Sequence, residues 1–236
     1  MKVLVLASGG VDSSTALAMA VKEYGSANVT ALSLMYGQKH DKELEAAKKV
    51  ADRYGVEQHF LDLSLVFKDS SSSLLKGTDE DIPKGSYGEQ ISGSSDGNTG
   101  EKGDPDSLIS TYVPFRNGLF LSVAASIAQA KGCGKVIYAI HSDDAAGAAY
   151  PDCTPEFNEA MKKSIWEGTG HEVTIEAPFV DMTKSDIVKT GLELGVPYEL
   201  TWSCYEGGEK PCGECGTCID RAKAFADNGA EDPALS

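Results

Sequence analysis

Two stretches of the chain carry residue types at spacings that could do chemistry. Near the carboxyl end, Cys204, Cys212, Cys215 and Cys218 fall within fifteen residues, in the run SCYEGGEKPCGECGTC. Four thiolates joined by short turns containing Gly and Pro match what a closed tetrahedral zinc site needs, with Gly213 and Gly216 between ligands where the chain must bend. A C-x-x-C-x-x-C run also occurs around iron–sulfur clusters, and a redox or purely structural thiol group is a third reading. Four sulfurs leave no position open for water, so a zinc ion there would be structural, stapling the C-terminal segment to the rest. At the amino end, Ser8-Gly9-Gly10-Val11-Asp12-Ser13-Ser14 separates an apolar run, Val3 to Leu6, from a segment with Ala16, Leu17, Ala20 and Val21 on one helical face. A strand that enters a helix through two glycines brings free N–H groups and the positive end of the helix dipole up to an anion, and Ser13 or Ser14 would cap that helix. The stretch lacks the lysine of the G-x-x-x-x-G-K-[ST] loop and is too short for G-x-G-x-x-G. It carries Asp12 instead, an acid that suits bound phosphates if a divalent cation such as Mg²⁺ bridges them. The plain alternative is a turn with no ligand.

The elements that must position these groups alternate. Val29 to Tyr36 reads as a second strand, Asp41 to Tyr54 as a helix ending near Gly55, and Gln58 to Leu63 as a third strand. Strand, helix, strand, helix is the pattern of a doubly wound, mainly parallel α/β sheet, whose ligands sit beyond the carboxyl ends of the strands. The loop Gly37-Gln38-Lys39-His40 would lie there, although His40 alone also reads as a solvated loop histidine. About residues 69–107 the chain turns rich in Ser, Gly and Asp with little to bury, so a flexible insertion is expected, with a lid as the rival. Structure resumes at Ser110-Thr111-Tyr112-Val113-Pro114-Phe115-Arg116-Asn117, followed by an apolar helix from Gly118 to Ala130 with Asn117 as its cap. Arg116 would point a guanidinium at a phosphate or carboxylate, or form a surface ion pair. A strand from Lys135 to Ile140 ends in His141-Ser142-Asp143-Asp144, and Tyr150-Pro151-Asp152-Cys153 precedes a helix begun by Thr154-Pro155. These acids are candidates for a metal or substrate site, against a solvated loop. After a strand from Glu172 to Ala177, Thr183-Lys184-Ser185-Asp186 is a capping sequence for a helix stopping at Gly195.

The chain has 236 residues, 41% of them apolar, and a net charge of −15. That length suits one large domain, 1–200, followed by a small cysteine-bearing segment, 201–236. An acidic protein is a poor general partner for nucleic acid, so a small-molecule substrate is expected. The first apolar run is too short for a secretory signal, and no span is long enough for a membrane. A cytoplasmic protein that forms a homo-oligomer is expected.

SGGVDSS resembles the signature of the PP-loop ATP pyrophosphatases, which split ATP between the α and β phosphates. Together with YVPFRN, YPDC and C-x₇-C-x-x-C-x-x-C, in that order and over nearly the whole chain, it is similar to the 7-cyano-7-deazaguanine (preQ0) synthases of QueC type. The resemblance implies that ATP adenylates the carboxylate of 7-carboxy-7-deazaguanine, that ammonia displaces AMP, and that a second activation dehydrates the amide to the nitrile. It further implies that Ala7, Ser8, Gly9, Gly10, Val11, Asp12, Ser13, Ser14, Tyr36, Gly37, Gln38 and His40 bind the nucleotide, with Asp12, Ser13 and Lys184 catalytic. Arg116, Asn117, Asp143, Asp144, Tyr150 and Asp152 would hold the substrate, and the four cysteines zinc. The chain departs from the family pattern at Val11, Phe115 and Ala139 to Asp144, the last beside the expected base-reading loop. Another PP-loop ligase, a tRNA-thiolating relative, a QueC-like enzyme that modifies a protein, and a zinc-knuckle adaptor without catalysis are the alternatives.

Overall fold

The computed structural model describes residues 1–86, 90, 109–145 and 150–235. Five strands, β1 (Val3–Leu6), β2 (Val29–Met35), β3 (Glu57–Asp62), β4 (Lys135–Ile137) and β5 (Thr174–Glu176), form one sheet in the order β3-β2-β1-β4-β5, and every pair is parallel. The helices are α1 (Val11–Tyr24), α2 (Lys42–Tyr54), α3 (Arg116–Lys131), α4 (Pro155–Gly168), α5 (Lys184–Leu194) and α6 (Gly216–Asp227), with a single helical turn at Ser142–Ala145. The doubly wound parallel α/β fold expected from the sequence is what forms. Among the described residues no helix is long and apolar enough to cross a membrane.

The unbroken apolar run of β1 follows from its place at the middle of the sheet, where both faces are covered. Side chains alternate along a strand. Val3 and Val5 therefore enter one core with Leu17 of α1, Val50 of α2, Ile187 of α5 and Phe225 of α6. Leu4 enters the other with Leu121 of α3 and Ile165 of α4. Among the described residues, four helices thus cover one face and two the other.

Two helix starts differ from the sequence reading. α1 begins at Val11, two residues before Ser13, with Gly10 extended at its N-cap and no side-chain cap. Ser13 and Ser14 lie inside the first turn, where the Ser13 hydroxyl serves the preceding loop instead. α3 begins at Arg116, so Asn117 is not its cap. The cap position is taken by Phe115 in the left-handed region (φ 54°), and its ring lies where any side chain at Gly118 would project. The backbone amide of Asn117 donates to the Asp152 carboxylate at 2.8 Å, which satisfies a first-turn N–H from across the structure.

Other boundaries hold. α2 ends at Gly55 and α5 at Gly195, both left-handed. Thr183 and Asp186 form the expected reciprocal capping box. Part of the Ser/Gly-rich stretch is packed: Leu74 and Leu75 are buried with Tyr36 and Phe67, and Ile82 packs beside Cys204, Cys215 and Cys218. The rest of that stretch, 87–89 and 91–108, lies outside the described residues.

α1 and α5 pack closely because Gly191 presents no side chain. A Cβ there would sit 1.7 Å from the hydroxyl oxygen of buried Tyr198, which hydrogen-bonds the Thr15 hydroxyl at 2.8 Å. Tyr198 has no space to move into, so Gly191→Ala should destabilise the protein by about 2 kcal/mol despite its better helix propensity. Thermal denaturation should show a melting temperature lower by about 4–8 °C. An unchanged melting temperature would contradict this packing.

Candidate active site and cysteine cluster

The strand order reverses direction between β1 and β4, so the loops that follow these two neighbours diverge and leave a crevice at their carboxyl ends. A cavity of about 230 Å³ lies there. One pole is polar, with Ser8, Gly10, Asp12, His141, Asp144 and Lys184. The other is largely aromatic and apolar, with Leu34, Tyr36, Phe120, Tyr138 and Tyr150, and Arg116 and Glu43 beside them.

Gly9 is dictated by sterics. Its φ is +90°, and a Cβ would lie 2.1 Å from the Glu43 carbonyl oxygen and 2.5 Å from the Ala47 nitrogen, so the loop rests directly on α2. The Ser13 hydroxyl accepts from the amides of Ser8 (3.1 Å) and Gly9 (3.2 Å) and hydrogen-bonds the Ser8 hydroxyl (3.0 Å). Ser13 therefore holds the turn in shape. The donors left for a ligand are the first-turn amides of α1, which have no intrahelical acceptor, and the Ser8 side chain.

Asp12 meets Lys184 in an ion pair, and His141 Nε2 lies 3.8 Å from the same carboxylate. Lys184 Nζ is also 3.3 Å from His141 Nε2, which stands 3.3 Å from Asp144. Burial opposes the charge on Asp12, but Lys184 and His141 outweigh it and hold its pKa below the usual carboxylate range. Burial likewise opposes the Lys184 charge, and Asp12 and Asp144 raise its pKa nonetheless. Two buried atoms in this cluster, Asp12 Oδ1 and His141 Nδ1, have no hydrogen-bond partner among the described residues, and the Asp143 carboxylate stands 4.0 Å from the latter. An orphaned carboxylate oxygen beside a turn with free first-turn amides would fit a hard cation.

At the aromatic pole the Arg116 guanidinium lies 5.1 Å from the centre of the Tyr36 ring. Burial works against its charge, yet Tyr36, Tyr205, Tyr150 and Asp152 keep it protonated. The Asn117 side chain donates to the Asp152 carbonyl at 3.1 Å and to Cys153 Sγ at 3.2 Å. Tyr150 shares a hydrogen bond of 2.7 Å with Thr111.

Of the residues singled out from sequence, Ala7, Ser8, Gly10, Asp12, Ser13, Tyr36, Gln38, Arg116, Asn117, Asp144, Tyr150 and Lys184 line one cavity. The others lie behind it. Gly9 packs on α2, Val11 is in the core, Ser14 is buried in α1 with its hydroxyl making no hydrogen bond to a described residue, and the Gly37 carbonyl accepts the Lys76 amide at 2.7 Å. His40 packs on Gly207 and Trp202, clamping the C-terminal segment. Asp143 accepts the backbone N–H of Lys184 at 2.8 Å and so anchors the start of α5, while Asp152 positions Asn117. The sequence reading left out Glu43, Ser203, Tyr205, Thr217 and Asp220, which also line the cavity.

The cysteine sulfurs of Cys204, Cys212, Cys215 and Cys218 all lie within 4.8 Å of one another, with Cys212 and Cys218 3.9 Å apart. Tetrahedral zinc with Zn–S bonds of about 2.3 Å would set its sulfurs about 3.8 Å apart, so the cluster fits that ion. None of the four is in a disulfide. Backbone amides point at the sulfurs, Cys212 N at Cys204 Sγ (3.3 Å) and Cys215 N at Cys212 Sγ (3.3 Å), as thiolate ligands require. The knuckle is tied to the β1–α1 turn, because Trp202 N donates to the Gly9 carbonyl at 3.0 Å.

A family model described as "Queuosine biosynthesis protein QueC" matches residues 2–229. A protein of Archaeoglobus fulgidus named 7-cyano-7-deazaguanine synthase is 44% identical over 237 aligned positions, covering 100% of this chain and 90% of that protein. Proteins of the same name from Caldicellulosiruptor saccharolyticus (44% identity; 99% of this chain and 94% of the relative) and Oceanobacillus iheyensis (42%; 98% and 96%) match as completely. The chain belongs to the QueC family. The match spans both the β1–α1 turn and the cysteines, so this QueC-family chain carries both chemical features within one family pattern.

Elemental analysis of the purified protein should find one zinc ion per chain, and Cys215→Ser combined with Cys218→Ser should abolish it and lower the melting temperature. Wild-type protein with four titratable thiols and no bound metal would contradict the geometry.

Proposed function

We propose that the protein makes 7-cyano-7-deazaguanine from 7-carboxy-7-deazaguanine and ammonia at the expense of ATP. The observation that carries this reading is the pairing of Asp12 with Lys184 at the β1–α1 turn, within a chain that matches the QueC family almost end to end. In the first half-reaction the substrate carboxylate attacks the α phosphorus of ATP, giving an acyl adenylate and pyrophosphate. Ammonia then adds to the acyl carbon and AMP leaves, with one proton released, to give the amide. In the second, the amide oxygen attacks the α phosphorus of another ATP and releases pyrophosphate, and loss of AMP and the two N–H protons leaves the nitrile.

Neither step needs a protein nucleophile. Catalysis instead requires donors and cations around the departing diphosphate. The amides of Val11 and Asp12 at the start of α1 would donate to its oxygens, and Ser13 would keep the turn fixed. Lys184, held in the resting protein by Asp12, would exchange that partner for phosphate oxygens, a swap between two anions that keeps the ammonium paired throughout. A magnesium ion held by Asp12 would neutralise charge between the phosphates. Gln38, whose side-chain oxygen Oε1 accepts the Tyr36 amide at 2.9 Å, would fix the strand end beside the adenine. Arg116 and Asn117 would hold the substrate, and zinc at the cysteines would be structural.

Incubation with 7-carboxy-7-deazaguanine, Mg·ATP and ammonium should yield the nitrile by mass spectrometry with two AMP released per nitrile. AMP release that is independent of the deazaguanine acid would overturn the reading. Lys184→Met should lower kcat by about 10²–10³-fold, as loss of one transition-state donor does. Turnover within a few-fold of wild type would remove Lys184 from the machinery.

A further inference from the structure

We propose that Glu43 is the specificity determinant for the substrate's ring, its carboxylate accepting from the ring N–H and exocyclic amine of a 2-amino-4-oxopyrimidine. The inference rests on the function proposed above and names the group that reads the base.

Among the described residues, four carboxylates line the cavity: Asp12, Glu43, Asp144 and Asp220. Asp12 is paired with Lys184 and Asp144 with His141, and Asp220 acts on Lys184 from α6, so three of them gather at the phosphate-binding pole. Asp152, an acid that sequence reasoning would choose for the base, is 4% exposed and occupied with Asn117. Glu43 stands apart. It projects from the first turn of α2 into the cavity and forms no hydrogen bond or ion pair with a described residue. Its pKa is pushed up to about 7 by burial, opposed only by Arg116. An acid in the first turn also suits the helix dipole, but that role is already served by Glu45, which faces solvent.

Arg116 at the same end forms no ion pair with a described residue, and it backs onto the Tyr36 ring. A carboxylate and a guanidinium that face one cavity below the surface with no salt bridge between them leave donors and acceptors for a ligand, although Arg116 also hydrogen-bonds the Tyr36 side chain. The ligand must offer two adjacent donors to Glu43 and an acceptor to Arg116, with a flat body for the aromatic wall. A guanine-like ring does so: its N1–H and 2-amino group point the same way, and its carbonyl oxygen is next to them. A carboxylate accepts both donors, whereas a glutamine accepts one and turns an N–H against the other.

The test is kcat/KM for 7-carboxy-7-deazaguanine and for its analogue lacking the 2-amino group, at saturating ATP and ammonium, with the full-length wild type, Glu43→Gln and Glu43→Asp. Wild type should favour the amine-bearing acid by about 10²-fold or more. Glu43→Gln should reduce that preference to less than about 10-fold by losing activity on the parent acid, with the KM for ATP and for ammonium unchanged. Glu43→Asp, which keeps the charge but shortens the reach, should lose activity on the parent acid and retain part of the preference. A Gln variant that keeps the wild-type preference, or loses activity on both acids equally, would overturn the inference, as would a rise in the KM for ammonium alone. Wild type that turns over neither acid would instead sink the substrate assignment on which the inference rests.

Discussion

The central constraint on this protein is the seat of β1 between β2 and β4 in an all-parallel sheet. Because the chain goes one way from β1 and returns to the other side for β4, the two loops that leave these strands part company, and the backbone cannot fill the space between them. Into that space the β1–α1 turn delivers Asp12, the segment after β4 delivers His141 and Asp144, and the start of α5 delivers Lys184. These groups are far apart in sequence. They meet because three parallel elements all end at the same edge of the sheet.

The charge cluster has a logic of its own. A lysine taken away from water must keep a counter-ion, since an unpaired buried ammonium costs several kcal/mol or surrenders its proton. Asp12 supplies the counter-ion in the resting state, and a triphosphate could supply it afterwards. The C-terminal segment completes the enclosure. Ser203, Tyr205, Thr217 and Asp220 form one wall of the cavity, and the segment is fastened at both ends. At one end the cysteine cluster folds it on itself. At the other, Arg221 makes a two-pronged contact with Asp232 at 2.7 and 2.9 Å and also donates to Thr201. A structural metal there would act on catalysis by placement alone, through the Trp202 to Gly9 hydrogen bond.

Much of this was legible in the sequence where local rules decide. Val3 to Leu6 had to be a doubly covered strand, Gly55 and Gly195 had to end helices, and Thr183 with Asp186 had to begin one. The cysteine spacing allowed few readings. What the sequence hid depends on contacts between distant residues. Ser13 reads as a helix cap, yet its hydroxyl is worth more holding the amides of Ser8 and Gly9 than serving a helix that Gly10 already starts. Asn117 reads as a cap because nothing local shows that Asp152 will accept its backbone N–H. Glu43 was passed over because α2 is strongly amphipathic and an acid in its first turn reads as solvent-facing. Only the resting of Gly9 directly on α2 brings that turn of the helix to the cavity.

The most direct test is a crystal structure of the full chain with Mg²⁺ and an ATP analogue bridged by a methylene between its α and β phosphates. The phosphates should lie within hydrogen-bond distance of the Val11 and Asp12 amides, with Lys184 turned from Asp12 onto a phosphate oxygen. Phosphates bound away from the β1–α1 turn, with the Asp12–Lys184 pair intact, would contradict the assignment of this crevice as the nucleotide site.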